Sequence, residues 1–176
     1  MSTEPVYITP IAEAHVLSFH ACLDAVARER RYLAIIEAPP LAQVLAFVKE
    51  NIAADAAQFV ALAGERVVGW ADVLPTWKPA LAHTGSLGMG VLAPYRGRGL
   101  GSALLAACRT KAQQRGITRI ELEARIDNLN AIRLYEKSGF VREGVKRNGM
   151  RFDNVYFDTL LMGCLLEPAW TDRARS

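Results

Sequence analysis

The chain has 176 residues, 51% of them hydrophobic and 22% charged, with a formal net charge of +3 at pH 7. That is enough apolar material for one core over residues 1–176, and it excludes a disordered chain. The mildly basic balance, with a pI near 8.9, suits a phosphate-bearing ligand but lacks the dense Lys/Arg patch of a nucleic-acid binder.

The stretch "VYITPI" reads as a short strand ended by Pro10. From Ala12 to about Arg30, the spacing of Val16, Phe19, Leu23 and Val26 by threes and fours predicts a helix. "EAPP" interrupts the chain, and Leu41–Glu50 predicts a second helix with Leu41, Val44, Leu45 and Val48 on one side. "QFVALAGERVVGWADVL" reads as two strands about a tight Gly64-Glu65 turn, glycine first.

Pro75 and Pro79 mark a loop around Trp77, and "HTGSLGMGVL" is a glycine-loosened strand stopped by Pro94. Leu100 to Arg115 predicts a helix with Leu100, Leu104, Ala107 and Cys108 on one stripe. "TRIELEA" alternates as a strand does, Ile120, Leu122 and Ala124 against Arg119, Glu121 and Glu123. "NAIRLYEKSGF" is a short helix with Asn130 as its N-cap and Gly139 just past its end. The rest forms a hairpin with Asn148-Gly149 as a primed turn. The order β-α-α-β-β-β-α-β-α-β-β makes an α/β chain: a mixed central sheet flanked by helices, with a parallel pair needed between about Leu87 and Ala124.

Cys22, Cys108 and Cys164 are odd in number and widely spaced, as expected of buried free thiols in a reducing compartment. His15, His20 and His83 form no i, i+4 pair, so no metal site is expected. No basic-then-apolar leader and no apolar run of about 18 residues is present, so a cytoplasmic protein off the membrane is the expectation.

"RGRGLGS" places Gly97, Gly99 and Gly101 where a helix opens, at a cost of about 1 kcal/mol each relative to alanine. It is no Walker A loop, because no lysine follows Gly101, and it departs from the dinucleotide fingerprint in glycine spacing. "GMGVLA" fits that fingerprint loosely, but Pro94 prevents a helix from opening there. Free N–H groups in a helix's first turn face an anion along the positive dipole end, and glycines let it approach. Each such bond to a charged group is worth about 1.5–3 kcal/mol, which outweighs the glycine cost. Arg96 and Arg98 add positive charge, so a pyrophosphate is the expected ligand.

"YRGRGLGSALL" followed by "RIELEARIDNLNAIRLYEKSGFVREG" resembles the GNAT superfamily of acyl-CoA-dependent N-acetyltransferases. Arg96, Gly99 and Gly101 match its Q/R-x-x-G-x-G/A loop; Asn128, Ala131, Tyr135, Gly139 and Phe140 match its downstream signature. The likeness covers about His83 to Gly144 and implies a GNAT-like fold.

The resemblance implies that Met89, Gly90 and Val91 offer main-chain groups to the pantetheine arm of acetyl-CoA. Gly88 and Gly90 also point to a bulge or a close approach. Arg96, Gly97, Arg98, Gly99, Leu100, Gly101 and Ser102 would hold the pyrophosphate. Asn130 would cap its helix and touch the cofactor, with Asn128 the alternative. Tyr135 would be the general acid, protonating the departing thiolate; an unperturbed phenol keeps its proton at neutral pH. A main-chain N–H near Met89 or Gly90 is a candidate for stabilising the oxyanion.

The base is left unassigned among Glu121, Glu123, Asp72 and His83. Arg28, Arg30 and Arg31 with Tyr32 occupy the family's acceptor-facing segment, or form a solvated helix end. Trp77, Phe152 and Tyr156 either line an acceptor pocket or pack. No cysteine is placed as a covalent relay. The function implied is therefore acetyl transfer from acetyl-CoA to a primary amine, on a small molecule such as an amino acid or amine toxin or on a protein N-terminus, in a ternary complex, with a homodimer as the common assembly. The competing class is a non-catalytic acyl-CoA-binding regulatory module.

Overall fold

Ile120, Leu122 and Ala124 are buried while Glu121 and Glu123 face water, so the alternation in Arg119–Arg125 forms a strand, β5, in the computed structural model, which describes residues 5–167. Before it come β1 (Val6–Pro10), α1 (Val16–Ala27), α2 (Leu41–Ala53), β2 (Ala57–Ala63), β3 (Arg66–Pro75), β4 (Thr84–Val91) and α3 (Leu100–Gln114). After it come α4 (Leu129–Lys137), β6 (Val141–Phe152) and β7 (Val155–Leu165). The element order is the predicted one.

The strands make one seven-stranded sheet in the order β1-β2-β3-β4-β5-β7-β6. All neighbours are antiparallel except β4 and β5. α1 covers one face of β3, where Phe19 meets Trp70 edge-on at 5.8 Å. α3 covers the other face with Leu104, Leu105, Cys108 and Ala112, all buried. Each large aliphatic side chain so buried contributes about 1.5–3 kcal/mol. Among the described residues no helix is long and apolar enough to cross a membrane.

Three boundaries differ from the sequence reading. A 3-10 turn at Glu13–His15 precedes α1, with the Ala12 N–H donating to His15 Nδ1 at 3.0 Å. α1 ends at Ala27, and Arg30 turns left-handed at φ +48°. α2 runs past Glu50 to Ala53.

The final hairpin corrects a turn. The reversal is at Asp153-Asn154, both at positive φ (+47° and +64°), between the paired residues Phe152 and Val155. Asn148-Gly149 lies inside β6, where the register slips between Lys146 and Met150. Asn148 is held at φ +53°, its N–H donating to Asp158 Oδ1 at 2.9 Å. Asn-Gly is the stronger local turn signal, but Asp and Asn also tolerate the left-handed region. The longer arm also carries Asp153 out to Arg30, 2.7 Å away.

Candidate active site

β4 and β5 pair only from Thr84–Ser86 to Arg119–Glu121. Beyond that they splay, and among the described residues the β5-facing edge of β4 from Leu87 to Val91 has no strand partner. Met89, Gly90 and Val91 wall a cavity of about 560 Å³, closed by Tyr32 and Leu33 after α1, the Tyr95–Ser102 turn, and α4. That volume falls within the usual range of small-molecule sites. β3 and β4 stay in regular register here, so of the two expectations for Gly88 and Gly90, a bulge or a close approach, the bulge does not occur in this pairing. The glycines answer to side chains instead. A Cβ at Gly90 would stand 2.3 Å from the Trp70 ring, and one at Gly88 would stand 3.0 Å from Asp72 Oδ1.

Between β4 and α3, the amides of Gly97, Arg98, Gly99, Leu100, Gly101 and Ser102 find no acceptor among the described residues; the first helical bond runs from the Ala103 N–H to the Gly99 carbonyl. Gly97 and Gly99 sit at φ +74° and +80° with open space around them. The left-handed turn therefore requires these two glycines. Gly101 serves packing: a Cβ there would meet Leu134 at 2.9 Å. A row of unpaired N–H groups at the N-terminus of a 15-residue helix is an anion site.

The two arginines act differently from a simple pair of phosphate-facing charges. Arg96 donates from Nε to the Val91 carbonyl at 2.8 Å and pairs with Glu29 at 2.7 Å. Its own N–H goes to the Ala93 carbonyl. Arg98 lies over the Tyr95 ring at 5.1 Å and, alone among the predicted cofactor residues, does not line the cavity.

α4 has the strongest apolar-polar division of the helices, burying Ile132 and Tyr135. Its N-cap is Asn128, whose side chain accepts from the Ala131 N–H at 3.3 Å. This corrects the Asn130 assignment: Asn130 sits inside the first turn and lines the cavity. Tyr135 also lines it, packed against Phe140 at 5.8 Å, and burial pushes its phenol up to about 12. Its hydroxyl has no hydrogen-bond partner among the described residues and keeps its proton at neutral pH.

Glu121 and Glu123 share a face, as predicted. Glu121 pairs with Arg119 at 3.4 Å. Glu123 accepts from the Thr159 hydroxyl and pairs with Lys146 at 3.2 Å. His83 precedes β4, at the closed end of the splay. Asp72 is half-buried on β3, opposite Gly88.

Arg28 pairs with Asp24 at 2.7 Å, Arg30 with Asp153, and Arg31 lies over Tyr32 at 5.2 Å. The basic segment is thus answered within the chain. Trp77 is 86% exposed beyond the closed end of β4, and Phe152 packs on Phe157. Tyr156 is exposed beside Arg151, so none of the three aromatics lines the cavity. Sequence reasoning missed Leu33, a cavity wall with no local motif, and Arg125. The latter is buried at the end of β5, 3.5 Å above the Phe157 ring and paired with Asp127.

Residues 22–140 match the model of the acetyltransferase (GNAT) family. The L-amino acid N-acetyltransferase AaaT of Escherichia coli (strain K12) is 30% identical over 106 residues, 60% of this chain and 65% of that protein. The ribosomal protein bS18-alanine N-acetyltransferase of the same organism is 41% identical over 54 residues, 31% of this chain and 36% of that one. The chain thus spans less than two thirds of either curated relative. A GNAT superfamily phosphinothricin acetyltransferase from Sinorhizobium meliloti, solved with acetyl-CoA, superimposes with a TM-score of 0.79 at 20% identity, over 96% of this chain and 93% of that one.

Proposed function

The chain belongs to the acetyltransferase (GNAT) family, and from that premise we propose that it transfers the acetyl group of acetyl-CoA to a primary amine, with both substrates bound together. The observation that carries this is one cavity joining the unpaired amides of Gly97–Ser102 to the phenol of Tyr135.

Acetyl-CoA, when bound, supplies a thioester carbonyl activated toward amines. The amides from Gly97 to Ser102 hold its pyrophosphate, helped by the α3 dipole. Arg96 braces that turn through Val91 and Glu29. The unpaired edge of β4 at Met89–Val91 and the side chain of Asn130 receive the pantetheine arm. Tyr135 donates to the sulfur as it leaves, and its burial keeps the phenol protonated for that purpose. No cysteine enters the cavity lining, in keeping with direct transfer.

The acceptor is the amine of an amino acid or of a protein N-terminus; of the two curated relatives, one is named for L-amino acids and the other for an alanine of ribosomal protein bS18. Three free, buried cysteines suit a cytoplasmic location. A regulatory acyl-CoA binder would have no use for a free phenol in the cavity.

The test is release of free thiol from acetyl-CoA across a panel of amino acids and short peptides. Turnover with at least one amine is the expected result. Tight CoA binding without turnover on any amine overturns the transferase reading in favour of the binding module.

A further inference from the structure

The inference rests on the transferase reading above. A primary amine is mostly charged at neutral pH and must lose a proton before its nitrogen can attack. We propose that Asp72, lying over Gly88 where β4 leaves β5, takes that proton.

Two observations support that role. Asp72 pairs in register with Gly88, two residues past the last rung that β4 shares with β5 and one residue before the cavity wall begins at Met89. The carboxylate leans across β4 toward the splay, because a Cβ on Gly88 would stand 3.0 Å from Oδ1 and 3.5 Å from Oδ2. Gly88 thus leaves the space beside the carboxylate free of a side chain, and the cavity wall begins one residue further on, at Met89, with Asp72 set just behind it.

Other groups near the gap are engaged. Glu121 belongs to Arg119, Glu123 to Lys146 and Thr159, and His83 stands at the closed end. Asp72 makes no hydrogen bond or ion pair among the described residues. Opposite it on β2, Gln58 accepts from Asn51 at 2.9 Å, while its Nε2 donor is buried without an acceptor among the described residues.

The surroundings suit the role. Burial pushes the Asp72 carboxyl up to about 7, and no charged group of α1, α2, β2 or β4 contributes to that shift. From α3 the neighbour is the Cys108 thiol, which burial and the Asp72 charge keep protonated. A carboxylate titrating near 7 accepts a proton and releases it within one turnover.

The proton balance closes without another reactant. The ammonium gives one proton to Asp72, and the freed nitrogen pair forms the N–C bond. The C–S bond breaks with its electron pair on sulfur, which takes the Tyr135 proton. The second proton shed by nitrogen restores the phenol, and Asp72 discharges its own to solvent.

The experiment is the pH profile of kcat/KM for the most reactive amine of the thiol-release panel, with CoA affinity measured by calorimetry. It compares the wild type with Asp72→Asn, Glu123→Gln and Gly88→Ala. Asp72→Asn is expected to cut kcat/KM at pH 7 by about 10²-fold or more, to lose the rise centred near pH 7, and to bind CoA unchanged. Glu123→Gln keeps that rise, and Gly88→Ala lowers kcat by crowding the carboxylate. An Asp72→Asn protein with the wild-type rate and rise overturns the proposal while leaving the transferase reading intact. If Asp72→Asn fails to fold, the wild-type profile decides, and the absence of a rise centred near pH 7 in it is equally fatal. A wild type that binds CoA but acetylates nothing defeats the transferase reading, and this role with it.

Discussion

Arg96 joins three parts of the site with one guanidinium: Nε donates to the Val91 carbonyl at 2.8 Å, and the far nitrogen meets Glu29 at 2.7 Å. The end of β4, the amide-rich turn and the segment after α1 are thereby held as one unit.

Arg96→Ala should therefore weaken CoA binding by loosening the turn. One hydrogen bond and a partly exposed ion pair are together worth about 1–1.5 kcal/mol, or roughly tenfold in Kd. Arg96→Lys should not restore it, because an ammonium lacks the fork that reaches both partners. Calorimetry with CoA checks both variants, and unchanged affinity in Arg96→Ala would remove the brace from the account.

Gly97 and Gly99 differ from Gly101 in what a methyl group would do. At the first two the space is open and the backbone is left-handed, so alanine adds strain of about 1–2 kcal/mol without a clash. Gly99→Ala should raise the Kd for CoA by about fivefold or more. Gly99→Asn should lose less, since asparagine visits this region more readily. Equal losses for the two would point to crowding of the phosphate instead of strain in the turn.

Tyr135→Phe removes one oxygen from a ring that stays packed on Phe140. CoA affinity should hold while kcat falls by about 10²-fold, the usual scale for losing a positioned proton donor. Because burial pushes the phenol up to about 12, the wild type should show no loss of activity from its ionisation below about pH 10. Steady-state kinetics with saturating acetyl-CoA separates the two effects.

Short-range pattern made most of this legible. The alternation in Arg119–Arg125 is buried-exposed because the sheet has two faces, and the glycines of Arg96–Gly101 mark a turn because only they enter it freely. Partners distant in the chain stayed hidden. Arg96 meets a glutamate 67 residues away, and Arg30 meets Asp153 across 123 residues. Two errors arose from local preference, one in choosing between neighbouring asparagines and one in reading Asn-Gly as the turn. Asn128 rather than Asn130 caps α4, and Asp153-Asn154 displaces the Asn148-Gly149 turn. The Ala131 N–H binds Asn128 three residues back, a local bond, whereas the Asn148 N–H meets Asp158 ten residues on.

Asp72 also carries a prediction about stability that is independent of any substrate. Its carboxyl is raised from an ordinary 3.8 to about 7 by burial, so the folded state holds its proton more tightly than the unfolded state does. Below about pH 4 both states are protonated and the residue is neutral to stability. Between about 4 and 7 the unfolded chain has released the proton and the folded chain keeps it, so stability falls as pH rises, at most by about 1.4 kcal/mol per unit. Above about 7 the penalty is constant. Asp72→Asn has no such proton to lose and breaks no hydrogen bond made within the described residues. Its advantage over the wild type should grow from near zero at pH 4 to about 2–4 kcal/mol at pH 8, the lower figure allowing for the carboxyl's partial exposure. Urea unfolding of both proteins at pH 4.5 and pH 8 measures it. A mutant less stable than the wild type at pH 8 would show that the folded state does not oppose ionisation of Asp72.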